Sequence, residues 1–561
     1  MLPRQEYPRP QFVRESYENL NGIWEFEIDN SKSGLARGLA KNDVRLSSSI
    51  LVPFCPESKL SGVCNKDFMY CVWYKRKLNI IKNGRRAILH FGAADYFTTV
   101  YINSVSVGSH KGGYASFSFD ITDFTVDGEN VLTVCCEDDT RSPLIPSGKQ
   151  SDRYESYACD YTRTTGIWQT VWLEYVPETR IESVKFYPNI QNSSVTVCLS
   201  LRGKADLTLK ASYGGNPCGA VKIPSAFGYV AAEIKLAKKH LWEIGQGNLY
   251  DLSLTFGDDE IKSYFALREV TFDDGFLSIN GEKIFMRLVL DQGFYEEGVY
   301  TAPTDKDLEN DILNSLKCGF NGARLHEKVF EERFLYYADK HGYIVWSEYP
   351  DWGLDHSDPV NIYSILPEWT EEINRDFNHP AIIGWCPHNE TWDQRGKKQY
   401  DPAIKLLYDM TKALDPTRPC IDTSGNYHVV TDLYDLHDYS SDPAELASHY
   451  ADLNNMSHHS AFKNRQTYRG GAVFISEYGG IGWNVGDGWG YGNGPKTEEE
   501  LYSRLDALTS ALVDNPNVSG FCYTQLTDVE QERNGLFTFS RAPKFDLPRL
   551  KKIFSKERKT Q

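Results

Sequence analysis

The chain has 561 residues, of which 41% are hydrophobic and 24% charged, which is typical of a globular protein. Its formal net charge of −17 argues against nucleic acid as a partner, because neutralising phosphate groups requires a basic surface. At about 150 residues per domain the length predicts several domains, and we expect three.

The first half of the chain shows the pattern of two all-β domains. Residues 1–177 contain short segments of alternating polarity separated by turn signals, such as those at 22–28 and 97–103, and this pattern predicts a β-sandwich. Residues 178–270 continue with strands whose number and length fit an immunoglobulin-like sandwich.

From residue 271 to 561, strand-like and helix-like segments alternate, which predicts a (β/α)8 TIM barrel. Thr304 is a predicted helix N-cap, and Gly319 and Gly342 stand where helices are expected to end. The eight predicted strands lie at 284–290, 320–325, 343–349, 381–386, 418–423, 433–439, 472–478 and 519–526.

Two glutamates stand out because each follows a short apolar run that reads as a buried barrel strand. Glu390 closes NHPAIIGWCPHNE, and Glu477 lies in GGAVFISEYGG. Both carboxylates are expected at the C-terminal ends of strands, where parallel barrels carry their active sites. Glycoside hydrolysis needs two carboxyl groups across one glycosidic bond, so the pair predicts a glycosidase. The alternative is a pair of structural carboxylates at strand ends.

Several features bear on location and cofactors. The twelve cysteines lack C-x-x-C pairs and zinc-ligand spacing, and we expect reduced thiols. No signal-peptide core and no 18-residue apolar run is present, so we expect a cytoplasmic protein without a membrane partner. His458 and His459 are adjacent in a polar loop and are expected to be exposed rather than metal-bound. The chemistry requires neither a cofactor nor a metal.

Six segments in order resemble glycoside hydrolase family 2, which includes β-galactosidases, β-glucuronidases and β-mannosidases. They are LNGIWEF (20–26), VYINSVSVGSHKGGYASFSFDIT (100–122), TTGIWQTVWLE (164–174), NGEKIFMR (280–287), NHPAIIGWCPHNE and ISEYGG. The resemblance covers nearly the whole chain and implies that the first sandwich is a jelly roll of the sugar-binding type. It also implies a retaining mechanism, with Glu390 as acid/base after strand 4 and Glu477 as nucleophile after strand 7.

An acid at Glu390 must be protonated at working pH, which requires a raised pKa. Apolar surroundings and a negative neighbour would raise it, and we expect Trp385, Trp392 and Glu477 to supply them.

The resemblance and the strand positions suggest further substrate-binding residues, each with a structural alternative. Asn389 is expected to donate to the sugar 2-hydroxyl, or else to cap its loop. Arg324 is expected to hold Glu477 ionised, or else to brace the barrel rim. Tyr439 is the candidate tyrosine that hydrogen-bonds the nucleophile. The remaining candidates are His388, where the family commonly has glycine, His326, His437, Tyr523, and Trp489 in the glycine-rich segment 486–495, which is either an aromatic lid or a loose surface loop.

The sugar is the least defined part of the prediction. Family β-glucuronidases carry an Asn-x-Lys element before a Gly-(Ile/Leu)-Phe-Thr segment that grips the substrate carboxylate. Here residues 531–538 read QERNGLFT and lack that pair, although Arg533 remains available. We therefore expect exo-acting removal of a terminal neutral sugar, β-D-galactose by family frequency. A β-glucuronidase or galacturonidase and an α-L-arabinosidase are the alternatives within the family.

Rival classes differ in the carboxylate pair. A non-catalytic carbohydrate-binding relative would be expected to lose one of the two carboxylates, and an inverting enzyme would hold them more than about 6.5 Å apart. The expected partner is a small glycoside or oligosaccharide, and a homodimer is compatible with the sequence.

Overall fold

The computed structural model describes residues 2–393, 396–456, 465, 466 and 468–558. The two histidines at 458 and 459 lie outside these residues. Within them, no helix is both long and apolar enough to cross a membrane.

The N-terminal unit is built from two facing antiparallel sheets. One has six strands in the order β3-β2-β4-β10-β7-β8, and the other has four in the order β1-β12-β5-β9. Alternate residues of both sheets, including Trp24, Val134, Leu89 and Val171, point inward and form one buried core. The strands are β1 (Tyr17–Asn19), β2 (Gly22–Ile28), β3 (Ser48–Val52), β4 (Cys71–Ile80), β5 (Arg86–Phe91), β6 (Ala94–Asp95), β7 (Phe97–Ile102), β8 (Val105–Lys111), β9 (Phe117–Asp120), β10 (Gly128–Glu137), β11 (Gly166–Ile167) and β12 (Val171–Val176), with one short helix α1 (Gly34–Arg37).

The second unit is also all β, and its core is separate. The strands are β13 (Arg180–Asn189), β14 (Ser194–Tyr213), β15 (Asn216–Lys235), β16 (Leu249–Phe256) and β17 (Asp259–Ala266). The first half of β14 pairs with β13 and its second half with β16, and register shifts lie between the two halves. Because bulges bend a strand, β14 and β15 link the two layers of this unit.

Arg14 joins the two β units. Its guanidinium donates to Glu174 Oε2 at 3.0 Å in β12 and to Asp259 Oδ1 at 2.8 Å in β17, and it also reaches the carbonyl of Ile181. All four groups are buried. The second unit is followed by a small sheet of β18 (Val270–Asp273), β19 (Phe276–Ile279) and β20 (Glu282–Ile284).

The third unit is a parallel barrel with strand order β24-β23-β22-β21-β27-β26-β25. Its strands are β21 (Met286–Asp291), β22 (Gly322–Leu325), β23 (Ile344–Glu348), β24 (Ile382–Cys386), β25 (Tyr434–Asp438), β26 (Val473–Gly479) and β27 (Val518–Thr524). Its helices are α2 (Asp305–Cys318), α3 (Glu332–His341), α4 (Ile362–Asp376), α5 (Asp401–Leu414), α6 (Pro443–His449), α7 (Glu498–Val513) and α8 (Leu547–Phe554). Three short 3-10 turns complete the described elements, at Thr122–Phe124, Pro359–Asn361 and Leu453–Asn455.

Seven of the eight predicted strands are present, and the one at 418–423 is wrong as a strand. This described segment meets the β24 side of the barrel through single parallel bridges, Trp385 to Cys420 and Asn389 to Ser424, and Ser424 Oγ donates to Asp435 Oδ2 in β25 at 2.5 Å. Pro419 has no N–H to donate to a ladder. The carboxylate of Asp422 accepts from the backbone N–H groups of Val429 and Val430 and ties the segment to the following loop.

The predicted helix boundaries at Thr304, Gly319 and Gly342 are confirmed. Thr304 N donates to Asp307 Oδ2 at 2.9 Å as part of a capping box at the start of α2. Gly319 and Gly342 end α2 and α3 in the left-handed conformation that glycine adopts at least cost.

Candidate active site

The C-terminal ends of the barrel strands bring Glu390 and Glu477 together. Glu477 lies on β26 and is buried, whereas Glu390 lies four residues beyond β24 with φ at +46°, a left-handed conformation that is uncommon for a residue other than glycine. One oxygen of each carboxylate and one ring nitrogen of His437 lie within 4.8 Å of one another. This set of one nitrogen and two oxygens could also hold a divalent cation.

Arg324, on β22, organises the floor of this site. It is buried and donates to Glu477 Oε1 at 2.8 Å, to Glu348 Oε2 at 2.7 Å and to Asn389 Oδ1 at 2.7 Å. One guanidinium therefore positions two carboxylates and the amide next to Glu390.

The charge state of Glu477 follows from its neighbours. Burial would raise its pKa, but His437 and then Arg324 outweigh that effect, so the pKa is lowered and the carboxylate is ionised. Its second oxygen accepts a hydrogen bond from the hydroxyl of Tyr439, which also lies 3.1 Å from Thr524 Oγ1. Tyr439 therefore lies beside Glu477 as a hydrogen-bond donor.

Glu390 differs from the expectation, because its pKa is lowered to about 2 rather than raised. Burial raises the pKa, but the hydrogen bond and charge of His437 outweigh burial, with Nδ1 lying 2.6 Å from Glu390 Oε1. Of the two tryptophans expected to create apolar surroundings, Trp385 bonds to Asp415, and Trp392 is 46% exposed and donates to Glu390 Oε2 at 3.3 Å.

His437 bridges the two glutamates. Its Nδ1 faces Glu390, and its Nε2 lies 3.4 Å from Glu477 Oε1 and 3.2 Å from Ser424 Oγ. Burial lowers the pKa of His437, but Glu477 and then Glu390 raise it above its usual value. The raised pKa of His437 and the lowered pKa of Glu390 place the proton of this pair on the histidine rather than on the carboxylate.

Asn389 has an unused donor in the site. Its backbone N–H donates to Asp351 Oδ1 at 2.7 Å and its Oδ1 accepts from Arg324, while its buried Nδ2 has no hydrogen-bond partner within the described part of the chain. Because a buried polar group without a partner is costly, this N–H group is suited to a ligand oxygen.

Three of the other predicted residues lie outside direct contact with the glutamates. His388 Nδ1 lies 3.0 Å from the carbonyl of Asp422, and burial lowers its pKa to about 4. His326 Nδ1 lies 2.7 Å from Glu348 Oε1. Tyr523 is buried and packs edge-on against Tyr478, in the barrel wall.

The glycine-rich segment is tied down by its backbone. Tyr491 N donates to Gly480 O at 2.7 Å, Trp489 N donates to Gln531 O at 2.8 Å, and Trp489 Nε1 donates to Ala158 O in the first sandwich at 2.6 Å. A Cβ at Gly490 would lie 2.4 Å from Gly482, so glycine is required for this close approach. The segment stacks Tyr491 on Tyr439, with ring centroids 3.5 Å apart.

Two residues that hold Glu532 beside the site, Tyr161 and Asn534, were not predicted from the sequence. Tyr161, in the first sandwich, donates to Glu532 Oε2, and Asn534 Nδ2 donates to Glu532 Oε1 at 3.0 Å. Burial raises the pKa of Glu532, and the nearby charge of Glu477 adds to the effect. Arg533 points elsewhere, since it is bound to the carbonyls of Val485 and Glu530.

Comparison with known proteins identifies the domain types. The family model described as glycosyl hydrolases family 2, sugar binding domain, matches residues 17–177, and the TIM barrel domain model of that family matches residues 270–556. A putative β-glucuronidase of Formosa agariphila is 27% identical over 443 residues, which are 73% of this chain and 51% of that protein. A β-galactosidase of Thermoanaerobacter pseudethanolicus is 28% identical over 377 residues, which are 63% of this chain and 48% of that protein.

The chain therefore spans about half the length of these two relatives. Among solved structures, a β-glucuronidase of an uncultured Clostridium sp. superposes with a TM-score of 0.79 at 20% identity and covers 99% of both chains. At that identity the likeness shows a shared fold.

Proposed function

The chain belongs to glycosyl hydrolase family 2, and we propose that it hydrolyses O-glycosidic bonds with retention of configuration at the anomeric carbon. The observation that carries the proposal is the spacing of the two glutamates, with one oxygen of each within 4.8 Å. Retaining enzymes hold their carboxyl groups about 5 to 5.5 Å apart, whereas inverting enzymes need about 6.5 to 9.5 Å to admit a water molecule.

In this proposal Glu477 is the nucleophile. Its ionised carboxylate, held by Arg324 and Tyr439, attacks the anomeric carbon and forms a glycosyl ester as the bond to the aglycone oxygen breaks. The proton shared by Glu390 and His437 passes to that oxygen. Glu390, now a base, then takes a proton from water, and the resulting hydroxide cleaves the ester and frees Glu477. Asn389 Nδ2 donates to the sugar 2-hydroxyl.

For the sugar, we propose a terminal β-linked glucuronic acid. The proposal draws support from relatives and structural neighbours, which are mostly named β-glucuronidases. The galactose expected from the sequence rested on family frequency and becomes the second candidate. One observation favours it: the buried carboxyl group of Glu532 would repel a substrate carboxylate wherever it is ionised.

The test combines a substrate panel with product stereochemistry. We expect p-nitrophenyl β-D-glucuronide to be cleaved faster than the matched galactoside, glucoside and mannoside. We also expect proton NMR of the glucuronide reaction to show the β-anomer of the sugar before mutarotation. The α-anomer appearing first would refute retention, and preference for the galactoside would refute the proposed sugar.

The two glutamates are tested by variants with a matched control. Glu477→Gln should abolish turnover, whereas Glu390→Gln with added azide should yield a β-glycosyl azide, because azide needs no general base. Glu445→Gln replaces an exposed carboxylate on α6 and should leave turnover unchanged. Turnover by Glu477→Gln at the wild-type rate would remove Glu477 from the mechanism.

A further inference from the structure

A lysine of the first sandwich is buried at the barrel mouth without an anionic partner. Lys149 lies in the loop between β10 and β11, is 5% exposed, and places Nζ 3.4 Å from the ring centroid of Trp352. Among residues 2–393, 396–456, 465, 466 and 468–558, none accepts a hydrogen bond from this ammonium group or pairs with it within 4 Å. Its N–H groups are therefore available to donate to an incoming anion.

Trp352 connects Lys149 to the proposed catalytic residues. Its Nε1 donates to the carbonyl of Asn389 at 3.1 Å, and both Trp352 and Glu390 line a cavity of about 410 Å³ between the first sandwich and the barrel. Lys149 is also close enough to act on the site electrostatically. Burial lowers the pKa of His326, and the positive charge of Lys149 lowers it further.

The loop that carries Lys149 is fixed against the barrel. The backbone N–H groups of Ser147 and Gly148 both donate to Trp352 O, at 2.8 and 3.2 Å, and Tyr161 N donates to Lys149 O at 2.7 Å. A Cβ at Gly148, where φ is +54°, would lie 2.5 Å from Glu327 O, so only glycine allows the loop to approach this closely. The ammonium group is thus held in place before any ligand arrives.

Arg324 and Arg533 are already engaged. Arg324 is committed to Glu348, Glu477 and Asn389, and Arg533 is bound to two backbone carbonyls on the outer side. Burial lowers the pKa of Lys149, but the charges that Cys159, Glu327 and Glu390 carry when ionised outweigh burial and raise it.

We propose that Lys149 is the group that binds the substrate carboxylate, so that a cation from the first sandwich selects uronic acids at the barrel's active site. This proposal rests on the proposed function, because it concerns the sugar bound beside Glu390 and Glu477. The competing role for Lys149 is a fixed counter-charge to the acidic groups around it, with no contact to the sugar.

The experiment compares two substrates that differ only at C6. We measure kcat/KM for p-nitrophenyl β-D-glucuronide and β-D-glucoside with the wild type, Lys149→Met and Arg533→Met. A lost charge-assisted hydrogen bond predicts that Lys149→Met lowers the glucuronide-to-glucoside ratio by at least about 10-fold. Arg533→Met, which removes a cation from the outer side, should leave the ratio unchanged. An equal loss for both substrates in Lys149→Met would overturn the proposal in favour of a counter-charge.

A binding measurement separates this proposal from the proposed hydrolysis. Glu477→Gln, alone or with Lys149→Met, is titrated with D-glucuronic acid and D-glucose while the fluorescence of the tryptophans, including Trp352, is followed. Binding of glucuronic acid that is lost with Lys149→Met supports the lysine's role even if no glycoside is turned over. Glucuronide turnover with unchanged acid binding in the double variant would uphold the function and overturn the role of Lys149.

Discussion

Replacing His437 by asparagine removes the group that sets the protonation of both glutamates. The lowered pKa of Glu390, about 2 against an ordinary 4.5, is a shift of about 2.5 units that His437 maintains against burial. At 1.36 kcal/mol per unit, the shift represents about 3 kcal/mol of preference for the ionised carboxylate. In the variant this preference is lost, and Glu390 alone must hold the acid proton.

The change in activity should therefore depend on pH. In the wild type the shared proton is lost as the pH rises through the raised pKa of His437, which ordinarily lies at 6.5. In His437→Asn the acid is a single carboxyl group, so the alkaline limb of kcat/KM should move to lower pH. The assay is a pH profile with p-nitrophenyl and 2,4-dinitrophenyl glycosides of one sugar, and the loss should be smaller for the second, whose leaving oxygen needs no proton.

The effect on stability has a defined pH window. The lowered pKa of Glu390 stabilises the fold above about pH 4.5 and is lost as the pH falls toward about 2, whereas the raised pKa of His437 stabilises it below 6.5 and is lost at higher pH. His437→Asn should therefore lower the melting temperature most between pH 4.5 and 6.5. Ser424→Ala, which removes a contact to the same ring and a hydrogen bond to Asp435 but leaves the His437–Glu390 pair intact, is the control. In the activity assay, an alkaline limb of kcat/KM that does not move in His437→Asn would refute the shared proton. Equal losses of kcat/KM for the p-nitrophenyl and 2,4-dinitrophenyl glycosides would refute it as well.

Two further variants test other contacts. Tyr439→Phe removes the hydroxyl that donates to Glu477 and should lower kcat/KM by about 10- to 150-fold, the range for a charge-assisted hydrogen bond. The far-ultraviolet circular dichroism should stay unchanged. An unaltered kcat/KM would exclude that contact from catalysis. Arg14→Met leaves buried Asp259 without a cation and removes one of the two arginines paired with buried Glu174, and it should cost about 3–5 kcal/mol in urea unfolding. Lys262→Met breaks an exposed ion pair with Glu15 and should lower the free energy of unfolding by less than about 1 kcal/mol. Equal losses in Arg14→Met and Lys262→Met would show that burial does not decide the strength of these ion pairs.

The barrel strands could be predicted from the sequence because each is a short apolar run between turn signals. Residues 382–386 and 473–476 are buried on both faces and therefore read as continuous apolar segments. The segment at 418–423 has a similar composition, but its path is decided by Pro419 and by the side chain of Asp422, whose partners lie several residues away. Composition alone does not specify those partners.

The two glutamates could also be found, but the protonation of Glu390 could not. The expected cause was apolar surroundings from tryptophans adjacent in the chain, whereas the observed cause is a histidine from β25. The alternation of that strand carried a signal, since Asp435, His437 and Tyr439 share one face and the last two were already assigned to the site, although not with this role for His437. Lys149 had no such signal, because local periodicity does not indicate which loop of one domain reaches another.

Arg324 binds Glu348 and Asn389 as well as Glu477, and this has a consequence for the synthesis of glycosidic bonds. If the carboxylate of Glu477 is deleted, Arg324 still pairs with Glu348 and Asn389, so the cation is not stranded and we expect Glu477→Gly to fold. Such a variant keeps Glu390 to activate an acceptor hydroxyl but has no group to form or hydrolyse the glycosyl ester. Supplied with an α-glycosyl fluoride of the preferred sugar, it should join donor to acceptor through a β-linkage and release fluoride. The same arginine that readies the site for cleavage thus leaves it suited to assembling glycosides.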